Sequence, residues 1–223
     1  MANGTVGGQG MSGTRQGIRI AILVEGATEQ MFKNKLNEFL ETRLPEDKKR
    51  PNLIFTAYDG RIPKNEGLKR IVTNLLESNR GLAKVDHVIA LTDVYTGTSD
   101  FKTAEDAKQK MRAWVGDEPR FHPHVALHDF EAWLLPFWPT IQKLADSNKS
   151  SPGVHPEQVN HNKPPAEHIR DLFRTGTKGK RYIKPRDGSR ILRDNDLLVT
   201  ADACPELKAF LNTILRLCGG ELL

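Results

Sequence analysis

Residues 18–24 read IRIAILV, an apolar run that is interrupted only by Arg19 and shows no alternation of apolar and polar positions. β-Branched runs of this kind form strands that are buried on both faces, as in parallel sheets covered by helices. The run ends abruptly at Glu25 and Gly26, and a pattern with helical spacing follows at once. This start predicts an α/β domain with a carboxylate at the end of its first strand.

The same succession of apolar strand and amphipathic helix recurs along the chain. Further strands are predicted at 53–58, 85–92 and 121–127. Thr28 is expected to cap the first helix. The segment HDFEAWLL after the fourth strand is expected to form a helix that Pro136 ends. Because helical crossovers join successive strands, the fold class is α/β, with a mainly parallel four-stranded sheet flanked by helices and a C-terminal helical extension.

Composition divides the chain into three parts. Residues 1–16 are rich in Gly, Ser and Thr and are expected to form a disordered tail. Residues 17–147 carry the α/β pattern. Residues 148–223 begin with a polar, Pro-rich connection and continue as a basic, mainly helical extension.

Positive charge is concentrated in the extension. Between Arg170 and Arg193 there are nine Lys or Arg and two Asp, a net charge of +7, whereas the whole chain carries +5 and the remainder therefore −2. A local basic segment of this kind favours a surface that binds a polyanion. A solvated surface loop is the alternative that charge alone leaves open.

Several classes of protein are excluded by composition. No apolar run approaches the roughly 20 residues that a membrane-spanning helix needs, and no secretory signal pattern follows the N-terminus. Two cysteines, Cys204 and Cys218, are too few for a disulfide framework or a zinc site. We therefore expect a cytoplasmic protein in which both thiols are packed as small apolar groups.

Acidic residues follow the predicted strands at Glu25, at Asp93 and at the pair Asp129 and Glu131. The carboxyl ends of parallel strands lie at one edge of the sheet, where open α/β folds bind ligands. Clustered carboxylates repel one another unless a cation neutralises them, and an all-oxygen set suits Mg²⁺ or Mn²⁺. The competing explanation for each acid, Glu29 included, is stabilisation of a helix N-terminus by about 0.3–1 kcal/mol.

These motifs resemble a known family. The segment VEGATE, an amphipathic helix and a strand ending in LTD together look like a Toprim domain, the fold of topoisomerases, primases and OLD-type nucleases. The sequence is more closely similar to the bacterial family catalogued as domain of unknown function 4276. The shared phrases are VEGATE, DGR, ALTD and HDFEAWLL, with KPPAEHIRDLF, YIKPRDG and ACPELKAFL in the C-terminal part.

The resemblance implies a Toprim/Rossmann-like, Mg²⁺- or Mn²⁺-dependent nuclease that works beside an ABC-type or OLD-type ATPase in prokaryotic defence against phages or plasmids. In Toprim nucleases the first Glu is a metal ligand or base, and a D-x-D motif after the third strand binds metal. Here the matching positions are Glu25 and Asp93, but Tyr95 stands in place of the second acid. We expect Glu25, Asp93 and Glu131 to be catalytic, and Asp129 to join them as a metal ligand.

Basic side chains are expected to hold the nucleic acid, for which we favour DNA over RNA. Lys180, Arg181, Lys184 and Arg186 would follow the phosphate backbone, and Arg61 and Lys64 would orient a phosphate near the acids. Tyr182 could stack on a base, although a single Tyr is more often a packing anchor. His122, His124 and His128 are close in sequence, but without matching Cys they are better explained as isolated histidines than as a metal cluster.

Two alternatives remain open from the sequence. One is an inactive Toprim-like subunit that binds nucleic acid or regulates its assembly, which the missing second acid favours. The other is a different phosphoryl-transfer enzyme, such as a phosphatase or nucleotidyltransferase, at the same edge. The chain has no P-loop motif, so any ATP would be bound by a partner. Homo-oligomerisation is left open.

Overall fold

The computed structural model of the chain describes residues 17–78, 84–95, 100–160 and 163–223, and gives the backbone without the side chains at 27–30. Its sheet has four strands, all parallel, in the order β2-β1-β3-β4. The strands are β1 (Arg19–Val24), β2 (Asn52–Ala57), β3 (His87–Asp93) and β4 (Phe121–Ala126). The predicted fold class is confirmed, since each strand lies within two residues of its predicted bounds.

Three helices cross between the strands. They are α1 (Ala27–Arg43), α2 (Glu66–Glu77) and α3 (Ala104–Val115). After β4 come a 3-10 helix (Phe130–Phe137), α4 (Trp138–Ala145) and a 3-10 turn (Pro156–Gln158). The C-terminal helices are α5 (Pro165–Thr175), α6 (Lys184–Arg193), α7 (Leu197–Ala203) and α8 (Pro205–Cys218). The helical nature of the extension is thereby confirmed.

Two local predictions were wrong. Gly26, with extended backbone, is the N-cap of α1, so Thr28 lies inside the first turn. The HDFEAWLL segment is a 3-10 helix that continues through Pro136 to Phe137. Every residue of that 3-10 helix except Pro136 is buried. Packing on all sides, rather than an amphipathic pattern with helical spacing, therefore sets its conformation. Runs of 3-10 helix of this length are uncommon.

The two faces of the sheet are covered by different parts of the chain. On one face, Ala21, Leu23 and Val88 pack in a core with residues of α2 and α3. On the other face, Ile20 and Ile22 pack with α1, the 3-10 helix and residues of the four C-terminal helices. The helices of the extension therefore complete one layer of the α/β fold, in which α8 packs against β4 and the basic helix α6 packs against α1 and the 3-10 helix.

The cysteines are part of this second core. Cys204 and Cys218 are both buried free thiols. Burial raises the pKa of Cys204 to about 12 and that of Cys218 to about 11. Both residues are therefore packed as neutral apolar groups, as expected for a chain with only two cysteines. Among the described helices, none combines the length and the apolar character needed to cross a bilayer.

The histidine in the middle of β4 leads to a prediction on acid stability. His124 is 6% exposed; its Nε2 lies 3.0 Å from Thr213 Oγ1 and its ring meets Phe210 edge-on. Burial, reinforced by nearby Lys108, lowers the pKa of His124 to about 3. Because the folded-state pKa is below the unfolded value of about 6.5, His124 stabilises the fold fully above that pH, and this contribution is lost as the pH falls towards 3.

We expect the wild-type protein to lose about 1 kcal/mol of unfolding free energy for each pH unit below about 6.5 through this residue. The His124→Gln variant should show a shallower pH dependence between pH 6.5 and 4.5 in urea unfolding. The exposed His155→Gln substitution is the matched control and should keep the wild-type slope. Equal slopes for His124→Gln and the wild-type protein would contradict the assignment.

Candidate functional site

Strand register brings the first two predicted acids to the same edge of the sheet. Val24 pairs with Leu91, so Glu25 emerges from β1 beside Thr92 near the end of β3. The hydroxyl of Thr92 donates a hydrogen bond to Glu25 Oε1. Glu25 and Asp93, both partly exposed, line one cavity of about 280 Å³ together with Thr92 and Tyr95. The carboxylates expected to converge from β1 and β3 therefore face a shared space.

The third acid, Asp129, follows the neighbouring strand β4. Asp93 pairs with Ala126 of β4, and the chain continues three residues further to Asp129, which is 1% exposed. Its Oδ2 accepts hydrogen bonds from the Ala166 N–H at 3.2 Å and from the Tyr95 hydroxyl at 3.4 Å. Its Oδ1 is buried and has no hydrogen-bond partner within the described part of the chain. Burial, with the nearby carboxylate of Glu131, raises the pKa of Asp129 to about 7.

Glu131 is fully buried and already has a cationic partner. Its Oε2 accepts a hydrogen bond from Lys184 Nζ at 2.9 Å, and its Oε1 lies 3.4 Å from the Tyr182 hydroxyl. Burial opposes the charge on Lys184, but the attraction of Glu131 outweighs it and the pKa of Lys184 is raised. The charge of Glu131 is therefore balanced inside the protein by a residue of α6.

Tyr95 connects the two pairs of acids. It occupies the position at which the D-x-D pattern would have its second acid, and its hydroxyl points to Asp129 instead. Burial and the carboxylates of Asp129 and Asp93 raise the pKa of the Tyr95 phenol, so the group remains a neutral hydrogen-bond donor. Sequence reasoning missed the roles of Tyr95 and Thr92. The only signal was their place on either side of Asp93.

The predicted phosphate-binding residues occupy two different places. Arg61 and Lys64 lie on the wall of the cavity that holds Glu25 and Asp93, and both pair with Asp100, at 2.7 and 3.1 Å. A second groove, of about 770 Å³, is lined by basic side chains. These are Arg170, Arg174, Lys180, Arg181 and Lys184.

Arg186 and Tyr182 of the basic segment, and His128 beside the acids, have mainly partners inside the protein. Arg186 makes two hydrogen bonds of 2.9 Å to Asp187, a fully buried carboxylate. Tyr182 is 6% exposed and packs against Phe173 at a centroid distance of 5.3 Å, as a packing anchor does. His128 is buried beside Tyr95, with ring centroids 6.1 Å apart, and burial lowers its pKa.

The acids do not form a ready-made metal centre among the described side chains. Within those residues, no group of three or more His, Cys, Asp or Glu is close enough to enclose a cation. The side chain of Glu29, a further candidate, lies outside the described part of the chain. Chemically, the site offers two partly exposed carboxylates, a buried acid with one unsatisfied oxygen and two cations that line the same cavity as the exposed carboxylates.

Comparisons with known proteins give matches that extend over most of the chain. A family model described as Domain of unknown function (DUF4276) matches residues 24–215. No curated protein matches the sequence. Among solved structures, the C-terminal region of the Burkholderia pseudomallei OLD protein is 12% identical with a TM-score of 0.46, covering 89% of this chain and 96% of that chain. The corresponding region of the Xanthomonas campestris pv. campestris OLD protein is 13% identical with a TM-score of 0.45, covering 90% and 94%.

The match to the family model includes the acids at the carboxyl edge of the sheet, Lys184 and the greater part of α8. It confirms the resemblance drawn from VEGATE and HDFEAWLL. Because the match extends over most of the chain, this protein belongs to the DUF4276 family.

Proposed function

We propose that this protein is a Mg²⁺- or Mn²⁺-dependent nuclease that hydrolyses phosphodiester bonds of DNA or RNA at the carboxyl edge of its sheet. The observation that carries the proposal is the buried, unsatisfied Oδ1 of Asp129, a residue whose other oxygen accepts a hydrogen bond from Tyr95 on the wall of the cavity of Glu25 and Asp93. A buried carboxylate oxygen without a partner costs free energy that a bound cation would offset. Asp129 thus supplies the acid that the D-x-D position lacks.

The residues at this edge fit a hard divalent cation. Carboxylate oxygens from three strand ends are the donors that Mg²⁺ and Mn²⁺ prefer, and such sites use few protein ligands and retain water. Glu25, Asp93 and Asp129 would hold the metal. Because the described side chains do not gather three acids around one point, at least one of them would do so through a water or after a shift of its side chain. Glu131 is a weaker candidate ligand because Lys184 already balances its charge. When bound, a metal of this kind lowers the pKa of a coordinated water and stabilises charge on a phosphate.

The other side chains position the acids and the substrate. Thr92 holds the carboxylate of Glu25 by its hydrogen bond, and Tyr95 holds that of Asp129. Arg61 and Lys64 line the same cavity as the acids and would bind the phosphate that is attacked. The groove at Lys180 and Arg181 would bind the phosphate backbone farther along the strand, with an affinity that depends on salt and not on sequence.

The direct test is cleavage of plasmid DNA, single-stranded DNA and RNA by the purified protein with Mg²⁺, with Mn²⁺ and with EDTA. We expect cleavage only with the metals, and we expect the Asp129→Asn variant to lose both cleavage and metal binding in calorimetric titration. The isosteric amide keeps the Tyr95 and Ala166 contacts available, so loss of activity would report on the charge. Full activity in EDTA or in Asp129→Asn would reject the metal-dependent mechanism.

The groove makes a separate, quantitative prediction. Each phosphate contact contributes about 0.7–0.9 to the slope of log affinity against log salt concentration. Lys180→Gln and Arg181→Gln should therefore each reduce that slope by about one. Arg43→Gln is the matched control, because Arg43 ends α1 at the opposite edge of the sheet and is exposed. If the groove variants kept the wild-type slope, the phosphate backbone of the nucleic acid would have to bind at another surface of the protein.

We further propose that the protein is the effector subunit of a prokaryotic defence system that an ABC-type or OLD-type ATPase controls. Support comes from the sequence resemblance and from the lack of a P-loop motif in this chain. Co-purification with the product of a neighbouring ATPase gene, and ATP-dependent stimulation of cleavage by that protein, would test the pairing.

An inactive nucleic-acid-binding or regulatory subunit is the second candidate. Tyr95 in place of the second acid favours it, as does the absence of a three-acid cluster among the described side chains. Nucleic-acid binding that is unaffected by Mg²⁺ or by Glu25→Gln, together with no cleavage in the presence of the ATPase, would establish this candidate instead of the nuclease.

A further inference from the structure

The cavity of Glu25 and Asp93 is also lined by apolar side chains that the proposed phosphodiester chemistry does not use. Besides the acids, Arg61 and Lys64, its lining contains apolar side chains from the segment before α2, from α2, from the segment before α3 and from α3. The apolar lining is made of Ile62, Leu68, Phe101, Met111 and Trp114. Phe101 and Trp114 are neighbours, with ring centroids 6.3 Å apart.

The size of the cavity restricts what it can hold. At about 280 Å³ it lies near the lower limit of ligand pockets, which span about 300–1,000 Å³. A duplex cannot enter a space of this size, whereas a single base with its sugar can. An apolar, aromatic wall next to paired cations matches the two halves of a nucleotide, the base and the phosphate.

The cations are held at fixed positions. Arg61 and Lys64 share the carboxylate of Asp100, and Lys64 Nζ also lies 5.5 Å from the centre of the Phe101 ring. Lys110 Nζ lies 5.6 Å from the same ring and donates to the Asp100 backbone carbonyl at 2.8 Å. Lys110 also pairs with the carboxylate of Asp106 at 2.9 Å. Arg61 and Lys64 therefore share the single carboxylate of Asp100, which leaves one net positive charge on the cavity wall.

We propose that this cavity binds one unpaired nucleotide of a nucleic-acid strand, with its base against Trp114 and Phe101 and its phosphate between Arg61, Lys64 and the acids. This inference rests on the proposed function and narrows its substrate class to single strands, or to duplexes with an unpaired nucleotide at the site of cleavage. A base inserted here would place its own phosphate at Glu25 and Asp93. The enzyme would therefore select unpaired positions by shape rather than by sequence.

Intrinsic fluorescence provides a binding test that does not depend on catalysis. Trp114 lines the cavity, whereas Trp133 and Trp138 are buried in the core on the other face of the sheet. A short single-stranded oligonucleotide, added with Ca²⁺ in place of Mg²⁺, should quench the emission of the wild-type protein. Trp114→Phe should abolish the quenching and keep the affinity within about threefold, because a phenyl ring still stacks. Trp138→Phe is the control and should leave the quenching intact.

Affinity measured by anisotropy completes the test. Trp114→Ala should bind the single strand about tenfold or more weakly, since base–aromatic stacking contributes at this level. The wild-type protein should bind a blunt duplex of equal length at least tenfold more weakly than the single strand. Any of three results would overturn the proposal. The first is unchanged Trp emission when the protein is saturated with the single strand. The others are an affinity for the blunt duplex, or for a free deoxynucleoside monophosphate, that equals the affinity for the single strand.

The two proposals fail in distinguishable ways. If quenching depended on Trp114 but no metal supported cleavage, the nucleotide pocket would stand and the proposed nuclease activity would be rejected. Metal-dependent cleavage without quenching would retain the nuclease and reject the pocket.

Discussion

Glu25→Gln is expected to lower the rate of metal-dependent strand cleavage by roughly 10²–10⁴-fold, the range for loss of a catalytic acid or base. Glutamine keeps the shape of the side chain and can still accept the hydrogen bond from Thr92, so the fold should be preserved. What is lost is the negative charge that would hold a cation at the end of β1. Cleavage should be followed on single-stranded DNA at saturating Mg²⁺.

Asp93→Asn should cause a loss of similar size, because Asp93 lines the same cavity from the adjacent strand. Thr92→Val removes only the group that orients Glu25, so we expect a smaller loss of about 10–100-fold, as for other partners of metal ligands. Glu46→Gln, an exposed residue in the loop before β2, is the matched control and should retain full activity. Wild-type rates in both Glu25→Gln and Asp93→Asn would leave the proposed chemistry without a site.

Lys184→Met is expected to destabilise the folded protein by about 2–4 kcal/mol, which is a large part of the stability of an ordinary domain. The reason is that the fully buried carboxylate of Glu131 would lose its only cationic partner among the described residues. Water can reach the Lys184 side chain, which is 34% exposed, and for this reason the loss should be smaller than for a completely buried pair. Urea unfolding at pH 7 measures the effect.

Two further variants separate the ion pair from general surface effects. The double variant Lys184→Met with Glu131→Leu should recover most of the lost stability, since apolar replacement of a buried pair is often neutral. Arg181→Met, at an exposed position of the same basic segment, should change the unfolding free energy by less than about 0.5 kcal/mol. If Lys184→Met behaved like Arg181→Met, Lys184 would be a surface phosphate ligand after all and not the partner of Glu131.

Lys184 contributes both to the basic groove and to the acidic edge of the sheet. It was predicted to bind the phosphate backbone together with Lys180 and Arg181, and it does line their groove. Its ammonium group, however, reaches inward to Glu131, two residues from Asp129. One side chain of α6 thus joins the basic groove to the acidic edge of the sheet. We expect that displacing α6 would disturb both surfaces together.

The scaffold of this protein could be predicted from its amino-acid sequence. Apolar runs such as residues 18–24 and the helical patterns between them define a parallel α/β sheet, because burial of strands on two faces and the 3.6-residue helix period are local properties of the chain. The same patterns placed Glu25 and Asp93 at strand ends, and hence at one edge. Segments without a clear period were predicted poorly, as the 3-10 helix at Phe130–Phe137 illustrates.

Which side chains meet at that edge depends on long-range packing and could not be predicted from local patterns. Thr92 donates to Glu25 across 67 residues of sequence, Tyr95 to Asp129 across 34, and Lys184 to Glu131 across 53. No local pattern encodes these pairs, because each depends on strand register and on how the C-terminal helices pack against the sheet. Packing also divided the basic residues between a groove, a cavity wall and internal ion pairs, since whether a charge faces water or a buried carboxylate is a property of the assembled core.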